Sequence, residues 1–377
     1  MRLALIRAKY DPFGGAERFV ETAASALAGQ GVDLTILSRT WPDNARDGVR
    51  HHIIDPPYLN STARDRGFAK AVCAYLKAEK FDLVQSHERL ACCDVYRAGD
   101  GVHAEWLSQR RRVVGGLKRL EMSLSPHHRY LLRAERELFT STRLRAVICN
   151  SRMVRDEIVR HFGTDAGKLH VIYSGVDTQK FHPASIRGLR EPTRQRLAIP
   201  PDAKVALFVG SGFERKGTAA FIDAVAGMPQ LHGVVVGKDK RLNATKQCAA
   251  ANGCARRIHF TGGVADVLPY YAAADVLLLP TLYDPFPNVC LEALACGLPV
   301  ITSIKSGAAE LLREGENGFV TDALDTAAMR MALEKALAGP QMGAAARASV
   351  LDYTPENMAA QYLALYRRLL GLGEHVK

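Results

Sequence analysis

The chain contains 377 residues, long enough for two or three domains that each bury a core of their own. Hydrophobic residues make up 47% and charged residues 24%, as in an ordinary soluble globular protein, and no apolar run approaches the ~20 residues of a membrane-spanning helix. The net charge of +11 favours an anionic partner, whether a nucleic acid, a phosphorylated substrate or an anionic membrane surface.

The beginning of the chain, "MRLALIRAKYDPFGG", does not have the pattern of a secretory signal peptide. Its apolar run is short and charge returns at Arg7 and Lys9, so we expect a cytoplasmic protein. The cysteines include no Cys-x-x-Cys pair, and no histidine cluster has the spacing of zinc ligands, so we expect no metal site. We interpret the adjacent Cys92 and Cys93 as small buried residues, because free cysteine is common in protein cores.

Short apolar runs and helical patterns alternate along most of the chain. The predicted strands of the first half are "LALI", "DLTIL", "HHII", "DLVQS", "DVYRA" and "AVICN", and those of the second half are "KVALFVG", "HGVVVG", "RIHFTG", "DVLLLPT" and "PVITS". Helices are predicted between them, among others at residues 15–31, 217–227 and 288–296, and an amphipathic helix with Pro355 near its start follows near the end. This alternation predicts an α/β protein with parallel sheets covered by helices on both faces.

The alternation begins again near "VIYSGVDTQKFHP", which indicates two doubly wound, Rossmann-like lobes. We place the first domain at residues 1–175, the second at 176–355 and a C-terminal helix at 356–377, and we interpret the polar stretch "ASIRGLREPTRQRLAIPPDA" as the connection between the lobes. Two such lobes leave a cleft between them, and ligands of doubly wound sheets bind beyond the carboxyl ends of the strands. The loops that directly follow the strands are therefore the candidate sites.

A glycine-containing loop follows the first strand of each lobe. Gly14 and Gly15 open the first helix, where a ligand could approach the backbone, although a plain glycine turn explains them equally well and the Gly-x-Gly-x-x-Gly pattern of dinucleotide sites is absent. In "GSGFERKGT", Gly210 precedes Arg215 and Lys216, which we predict to lie at a helix start. Cations there oppose the helix dipole unless an anion joins them, so we predict a phosphate site; the alternative is a solvated basic turn.

The stretch "YDPFPNVCLEALACGLPV" places two carboxylates after the predicted buried strand "DVLLLPT". Pro285 and Pro287 require a turn, so Asp284 is predicted at the carboxyl end of a strand and Glu292 one or two turns into the next helix. A carboxylate at the depth of Glu292 suits vicinal hydroxyls such as those of a ribose, and Asp284 suits the hydroxyls of a second sugar ring. The alternative is that Asp284 only caps the turn and Glu292 is a solvated helix residue; the predicted phosphate site in the same lobe favours the first interpretation.

Together these features resemble the retaining glycosyltransferases of family 4. The fold of that family, called GT-B, consists of two Rossmann-like domains facing a cleft, with a C-terminal helix that crosses back to the first domain. The resemblance covers nearly the whole chain and rests on "FGG", "SGVDTQKFHP", "GSGFERKG", "YDPFPNVCLEALACGLPV" and the C-terminal helix. Within the family, "KYDPFGGAERF" and "DVYRAGDGVHAEW" are most similar to the glucosyltransferases of the lipopolysaccharide core.

The resemblance implies roles for particular residues. Arg215 and Lys216 match the pair that binds the donor pyrophosphate, and Glu292 matches the acid that holds the ribose hydroxyls. Asp284 stands where most members have glutamate, and Asp100, in "RAGDG", matches the acid near the transferred sugar. The implied catalytic residues are Asp100, Arg215, Lys216 and Asp284, and the implied donor-binding residues are Gly14, Gly15, Gly210, Arg215, Lys216, Asp284, Phe286, Pro287, Asn288, Val289 and Glu292.

The resemblance also implies a mechanism and substrates. Members of the family react on one face of the sugar, with the leaving phosphate taking the acceptor's proton, and no nucleophilic carboxylate is evident here. In other branches of the family a histidine stands at the position of Asp100; His103 lies nearby in this chain but not at that position. Pro287 stands where many members of the family have glycine. Neither a cofactor nor a divalent metal is implied, since the sequence contains no Asp-x-Asp.

The implied donor is a UDP-sugar, with UDP-glucose as the first choice and UDP-galactose, UDP-N-acetylhexosamines and GDP-mannose left open. The implied acceptor is the lipopolysaccharide core or another lipid-linked glycan.

Three other functions fit parts of the sequence. A nucleotide-sugar epimerase shares the architecture but would act without an acceptor. A nicotinamide-dependent dehydrogenase fits the alternation of strands and helices but not the missing glycine pattern. A nucleic-acid-binding protein fits the charge, but no recognisable nucleic-acid module or aromatic-basic stacking segment is present, so we expect no nucleic-acid partner.

Much of the surplus positive charge lies in residues 108–139. Aliphatic side chains are interleaved there with arginine and lysine, which suits a helix lying on an anionic bilayer. We therefore predict peripheral association with the inner face of the cytoplasmic membrane, on the acceptor side of the cleft; the alternative is a solvated helical hairpin packed on the first lobe. The predicted membrane and acceptor residues are Trp106, Arg110, Arg111, Arg112, Lys118 and Arg119.

Overall fold

The computed structural model describes residues 1–9, 32–40, 49–338 and 342–372, and the chain divides into two compact units. The first unit combines Met1–Ser174 with Pro355–Lys377, and the second is Gly175–Thr354. The domain bounds that we drew from the sequence differ from these by one residue at each junction. The helix predicted at residues 15–31 lies outside the described residues.

A parallel sheet forms the centre of the first unit, and its described strands lie in the order β3-β2-β1-β4-β5-β6-β7. These strands are β1 (Arg2–Ile6), β2 (Asp33–Ser38), β3 (Val49–Ile53), β4 (Leu83–Ser86), β5 (Val95–Arg97), β6 (Ala146–Cys149) and β7 (Leu169–Val171). The described helices that connect them are α1 (Ser61–Ala78), α2 (His103–Arg111), α3 (Gly116–Leu124), α4 (Pro126–Phe139) and α5 (Arg152–Phe162).

The second unit is built around another parallel sheet, in the order β10-β9-β8-β11-β12-β13. Its strands are β8 (Lys204–Val209), β9 (Leu231–Val236), β10 (Ile258–Gly262), β11 (Val276–Leu279), β12 (Val300–Ser303) and β13 (Gly318–Thr321). Its described helices are α6 (Pro183–Ile186), α7 (Arg190–Arg196), α8 (Phe213–Lys216), α9 (Thr218–Ala226), α10 (Leu242–Ala251), α11 (Leu268–Ala273), α12 (Asn288–Ala295), α13 (Thr326–Ala338) and α14 (Gly343–Ala348). The last described helix, α15 (Pro355–Leu369), belongs to the first unit.

The first sheet is covered on both faces. Successive side chains of a strand point to opposite faces, so Ala4 and Ile6 of β1 join one core cluster while Leu3 and Leu5 join another. Buried side chains of α1 pack in the first cluster, and buried side chains of α15 pack in the second. All four of these side chains are fully buried, which explains why this part of β1 is a continuous apolar run rather than an alternating one.

Helix α15 is tied to the sheet of the first unit by buried hydrogen bonds as well as by packing. The Tyr366 hydroxyl lies 2.5 Å from Oε1 of Gln85, and Nε of Arg97 donates to the Tyr362 hydroxyl at 3.0 Å. The end of the chain therefore returns to the first unit after the second unit is complete, as the GT-B fold class predicts.

Both sheets reverse their strand order beside their first strand. In the first unit β1 lies between β2 and β4, and in the second unit β8 lies between β9 and β11. This is the doubly wound pattern, in which ligand sites lie beyond the carboxyl ends of the central strands. The predicted fold class, with two doubly wound α/β domains, is confirmed.

Two predictions about other parts of the chain are wrong. The stretch 184–203, read as a connection between lobes, contains α7 and belongs to the second unit, where the buried Arg194 pairs with Asp275 at 3.0 Å. Cys92 is not a free core residue, because it forms a disulfide with Cys73 of α1 across a Cα–Cα distance of 5.9 Å. The adjacent cysteine is buried and free, as predicted. No spacing motif links the two bridged cysteines, so the sequence pattern could not show their contact.

Candidate active site

The cations predicted to bind phosphate lie where β8 and β11 end. Arg215 and Lys216 form the last turn of α8, which begins shortly after β8. Gly217 follows in a left-handed conformation, with φ of +79°, and a Cβ atom there would lie 1.8 Å from the carbonyl oxygen of Pro280. Only glycine fits this position, so the end of α8 can approach the segment that follows β11.

This placement corrects the prediction that both cations lie at a helix start. They lie in the last turn of a four-residue helix, where the dipole favours positive charge, and the longer α9 begins only after Gly217. The sequence pattern did not show that Gly217 separates two helices. The helix dipole therefore gives no reason to expect an anion at this site, and the prediction rests on the charges of Arg215 and Lys216 alone.

Arg215 is fixed to the segment after β11 through its main chain and its side chain. Its carbonyl oxygen accepts hydrogen bonds from the Leu282 amide at 2.8 Å and from the Thr281 hydroxyl at 2.9 Å. Its Nη1 donates to the carbonyl oxygen of Tyr283 at 3.0 Å. The loop after β8 and the loop after β11 therefore form one structure, although they are about 70 residues apart in sequence.

Asp284 lies against both cations. Its Oδ2 is 2.5 Å from Nζ of Lys216 and 3.1 Å from Nη1 of Arg215. Burial alone would raise the pKa of Asp284, but the charges of Lys216 and Arg215 outweigh burial and hold that pKa below its ordinary value. The carboxylate is therefore ionised at neutral pH, and the three side chains together carry one net positive charge. Lys216 is only 9% exposed, so the alternative of a solvated basic turn is wrong.

The main chain holds Asp284 in place. Its amide donates to the carbonyl oxygen of Lys305, and its carbonyl oxygen accepts from the amide of Gly307, both at 2.9 Å. These bonds continue the parallel pairing of β11 and β12 beyond the ends of the strands. The carboxylate thus projects from a fixed backbone, even though two prolines interrupt regular structure directly after it.

Glu292 is buried in the middle of α12. It is 4% exposed, and its Oε2 accepts a hydrogen bond from the Tyr271 hydroxyl at 2.9 Å, so the alternative of a solvated helix residue is wrong. Burial raises the pKa of the Cys290 thiol, and the carboxylates of Asp284 and Glu292 raise it further while Lys216 opposes them. Asp284 stands four residues before the start of α12 and Glu292 lies within that helix, so one short segment carries both predicted carboxylates.

The predicted donor-binding residues before Glu292 form the entry to α12. The helix begins at Asn288 directly after Pro287, and no side chain of the described residues caps its N-terminus. Phe286 is buried, while Asn288 and Val289 are half-buried. The amides of a first turn have no acceptor within their own helix and carry part of its positive dipole charge, so this end of α12 favours an anion.

In the first unit, the predicted acid Asp100 lies in the loop between β5 and α2, with 55% of its side chain exposed. Its Oδ2 is 3.9 Å from Nη1 of Arg89, and Nε of Arg89 donates to Oε1 of Glu135 at 2.9 Å. Glu135 is 1% exposed and also accepts a hydrogen bond from the His103 amide at 2.7 Å. A buried ion pair therefore supports the Asp100 loop from β4 on one side and from α4 on the other.

Sequence reasoning missed both members of this pair. The sequence cue for Arg89 is that it follows β4, which lies next to β1 where the strand order of the first sheet reverses. Ligand sites of doubly wound sheets lie at such a reversal. Glu135 has no such signal, because it lies within a helix among other charged residues.

His103, near the predicted acid, is the buried first residue of α2. Its Nε2 lies 3.1 Å from Nδ1 of His128. Burial, together with the charges of Arg89 and His128, lowers the pKa of His103 to about 3. The imidazole is therefore neutral at physiological pH.

The predicted membrane stretch forms three helices rather than one. Leu107 of α2 is buried in the first unit, but α3 buries only Met122 and exposes Leu117 by 89%, Leu120 by 57% and Leu124 by 55%. These leucines are three or four residues apart, so they form one apolar stripe on α3. Of the predicted membrane residues, Arg111, Arg112, Lys118 and Arg119 are exposed, and Trp106 and Arg110 are half-buried.

In the part of the chain that the structure describes, no group of three or more His, Cys, Asp or Glu side chains is arranged to hold a metal ion. Of the same residues, no helix has both the length and the apolar composition that crossing a bilayer requires. The predicted donor-binding residues Gly14 and Gly15 lie outside the described ranges.

Comparison with known proteins gives two family matches that together span most of the chain. Residues 13–180 match the family described as Glycosyltransferase Family 4, and residues 190–349 match the family described as Glycosyl transferases group 1. The lipopolysaccharide glucosyltransferase WaaG of Escherichia coli is 30% identical over 327 residues, which cover 85% of each chain. A D-inositol 3-phosphate glycosyltransferase of Actinosynnema mirum is 27% identical over 397 residues, which cover 93% of this chain and 92% of the relative.

Solved structures show the same fold. The crystal structure of WaaG aligns with a TM-score of 0.79 at 24% identity, covering 99% of this chain and 100% of that one. Anabaena HepE in complex with UDP and glucose aligns with a TM-score of 0.73 at 20% identity, covering 98% and 100%. Because the family matches and the similarity to WaaG over most of the chain agree with the two doubly wound sheets and the returning helix, the chain belongs to the family 4 glycosyltransferases and has the GT-B fold.

Proposed function

We propose that the chain is a retaining, metal-independent hexosyltransferase that moves glucose from UDP-glucose to the lipopolysaccharide core or another lipid-linked glycan. The observation that carries this proposal is the cluster of Arg215 with the buried Lys216 and Asp284 at the switch point of the second sheet, with Glu292 in the helix that follows Asp284. A nucleotide sugar needs cations for its diphosphate and hydrogen-bond acceptors for its hydroxyls, and this neighbourhood supplies both.

The donor-binding half of the proposal follows from charge and position. Arg215 and Lys216 bind the diphosphate, Arg215 through its planar fork and Lys216 as a point charge. The amides of Asn288 and Val289 add the positive end of the α12 dipole. Glu292, buried one turn further along the helix, accepts hydrogen bonds from the ribose hydroxyls.

The chemical half of the proposal requires no nucleophilic side chain. The bond between the anomeric carbon and the phosphate oxygen breaks, the acceptor oxygen bonds to the same face of that carbon, and its proton passes to the leaving phosphate. Negative charge grows on the diphosphate as the bond breaks, and Arg215 and Lys216 stabilise that charge in place of a divalent metal. Asp284 lies against these cations and contacts the transferred sugar. Asp100, supported by Arg89, orients the sugar and the acceptor.

The choice of UDP-glucose rests on the relatives. WaaG is a lipopolysaccharide glucosyltransferase by name, and HepE, which shares the fold, has been solved with UDP and glucose. Other relatives are inositol phosphate glycosyltransferases, so a different acceptor is a second candidate. UDP-galactose, UDP-N-acetylhexosamines and GDP-mannose are the alternative donors, and a nucleotide-sugar epimerase is the alternative reaction.

The acceptor is proposed to lie at an anionic membrane surface that the first unit contacts through α3. The exposed leucines of α3 would enter the lipid headgroup region, while Lys118 and Arg119 beside them would meet anionic headgroups. Each basic residue near such a surface contributes about 1 kcal/mol, and salt screens the attraction.

A panel of nucleotide sugars tests the donor and the reaction together. The protein is incubated with UDP-glucose, UDP-galactose, UDP-N-acetylglucosamine or GDP-mannose, with and without a truncated lipopolysaccharide core, and with Lys216→Ala as the control. We expect the largest thermal shift and the fastest nucleotide release with UDP-glucose, and an α-linked product by NMR. Preference for GDP-mannose, an inverted product or an epimerised free sugar would contradict the proposal.

Vesicle co-sedimentation tests the membrane contact. A Lys118→Gln/Arg119→Gln variant should lose binding to vesicles that contain phosphatidylglycerol, most clearly at low salt. The matched control is Arg256→Gln/Arg313→Gln, which removes the same charge from exposed positions of the second unit. Equal losses in the two variants would show a general charge effect and remove α3 as the contact.

A further inference from the structure

Glu292 takes part in a buried hydrogen bond that the proposed chemistry leaves unexplained. Its partner, Tyr271, lies in α11 just before β11 and is completely buried. The Tyr271 hydroxyl is 2.9 Å from Oε2 of Glu292 and 3.3 Å from the carbonyl oxygen of Val289. A phenol has one proton to donate, and an ionised carboxylate is the stronger and here the closer acceptor, so the proton is directed to Glu292.

The position of this hydroxyl is set by the packing of the tyrosine ring. The ring meets the buried ring of Phe181 edge to face, with centroids 6.0 Å apart and an interplanar angle of 87°. Burial and the adjacent charge of Glu292 raise the pKa of Tyr271 well above its ordinary value, so the hydroxyl remains protonated at any pH at which the protein is folded and active. Tyr271 is therefore a fixed donor rather than a titrating group.

A glutamate side chain has several rotatable bonds, and a ribose diol is recognised only when the carboxylate has one orientation. We propose that Tyr271 is a positioning residue for nucleotide recognition, whose hydroxyl holds Oε2 of Glu292 so that the carboxylate faces the ribose hydroxyls. This inference rests on the proposed function, because it assumes that Glu292 binds ribose. Tyr271 acts only through Glu292 and touches neither the sugar nor the phosphates.

This role predicts a particular kinetic pattern. The ribose keeps the same contacts in the bound donor and in the transition state, so losing one of them weakens both states equally. Such a loss raises KM and leaves kcat unchanged. Tyr271→Phe, which removes one oxygen and keeps the ring, should raise KM for the donor by about fivefold, the loss expected when a typical intramolecular hydrogen bond is removed, with kcat nearly unchanged.

Comparison of two nucleotides separates positioning from a structural role. Calorimetry is performed with UDP and with 2′,3′-dideoxy-UDP, which lacks both ribose hydroxyls, on the wild type and on Tyr271→Phe. We expect UDP binding to weaken by about fivefold and dideoxy-UDP binding to change by less than about twofold. Tyr270→Phe is the matched control, because it removes the same atom from the neighbouring position of α11, where the ring faces Arg196 at 5.5 Å.

The outcomes distinguish failure of this inference from failure of the proposed function. If Tyr271→Phe weakens both nucleotides equally, or neither, while Glu292→Gln still weakens UDP selectively, Tyr271 has no positioning role but the ribose site stands. If Glu292→Gln leaves UDP binding unchanged, the ribose assignment itself is wrong. In the Glu292→Gln background, Tyr271→Phe should have no further effect on UDP, and an undiminished effect there would overturn the inference.

A second variant keeps the inference testable if Tyr271→Phe does not fold. Tyr271→Met refills the site with a flexible apolar side chain that also lacks the hydroxyl, and it should give the same selective loss of UDP affinity. If neither variant folds, the hydroxyl is required for the fold itself, and that result would overturn the positioning role.

Discussion

Replacing Asp284 by asparagine should make UDP bind more tightly while sugar transfer slows. The carboxylate oxygen is 2.5 Å from Nζ of Lys216 and 3.1 Å from Nη1 of Arg215, so it already cancels one of the two positive charges proposed to bind the diphosphate. Asparagine keeps the shape of the side chain and removes only the charge. The two cations would then meet the nucleotide with a net charge of two rather than one.

The magnitude follows from the geometry. A phosphate oxygen bound to the same two cations would lie about 6 Å from the Asp284 carboxylate, because each nitrogen–oxygen contact spans roughly 3 Å. At an effective dielectric constant of about 20, two unit negative charges at that distance repel each other by about 3 kcal/mol. If half of this is lost because the unpaired cations are better solvated, about 1.4 kcal/mol remains, which is a tenfold gain in UDP affinity. Transfer should fall by about a hundredfold, as for other losses of a group that acts on the transition state.

The assay combines calorimetry with UDP and nucleotide release from UDP-glucose, for the wild type and for Asp284→Asn. Asp325→Asn is the control, since it removes the same charge from an exposed residue at the start of α13 and retains the capping oxygen. Unchanged or weaker UDP binding in Asp284→Asn would refute the reasoning. It would show that the carboxylate holds the cations in their binding geometry rather than competing with the phosphate.

Three further changes test the roles of Asp100, of the two cations and of Arg89. Asp100→Asn should leave the affinity for UDP within about twofold of the wild type while transfer falls, because its proposed partners are the sugar and the acceptor; calorimetry and a rate assay on one preparation decide this. Activity should survive EDTA, since Arg215 and Lys216 supply the charge that a metal would, and loss of activity restored by magnesium or manganese would contradict this. Arg89→Ala should lower the free energy of unfolding by about 3–5 kcal/mol in urea denaturation, because it leaves the buried Glu135 without its cation, and a change below about 1 kcal/mol would mean that water or another group replaces it.

The strands at the centre of each sheet were predictable because they are buried on both faces and read as continuous apolar runs. Strands β7 and β13 were missed for the opposite reason. Each lies at the edge of its sheet, and both are short and only partly buried, so their sequences lack a long apolar run. The other two edge strands, β3 and β10, were predicted from "HHII" and "RIHFTG"; each has five residues, against three in β7 and four in β13.

The charged residues of the candidate site were predictable from a different rule. Arg215, Lys216 and Asp284 all follow strands, and the carboxyl ends of parallel strands meet at one edge of a sheet. Their direct contact was not predictable, because it requires β8 and β11 to be neighbours although β9 and β10 lie between them in the chain. Tyr271 was missed because a tyrosine in an apolar helix reads as core, and only the structure shows where its hydroxyl is directed.

The two proposed halves of the donor site meet a nucleotide differently. The carboxylate of Glu292 accepts a hydrogen bond from the neutral Tyr271 hydroxyl, which places no opposing charge at the ribose. The cations of the proposed diphosphate site are instead paired with Asp284, so a phosphate has to bind where a carboxylate already offsets one positive charge. The diphosphate would then bind against the repulsion of Asp284. After transfer the same repulsion favours the departure of UDP.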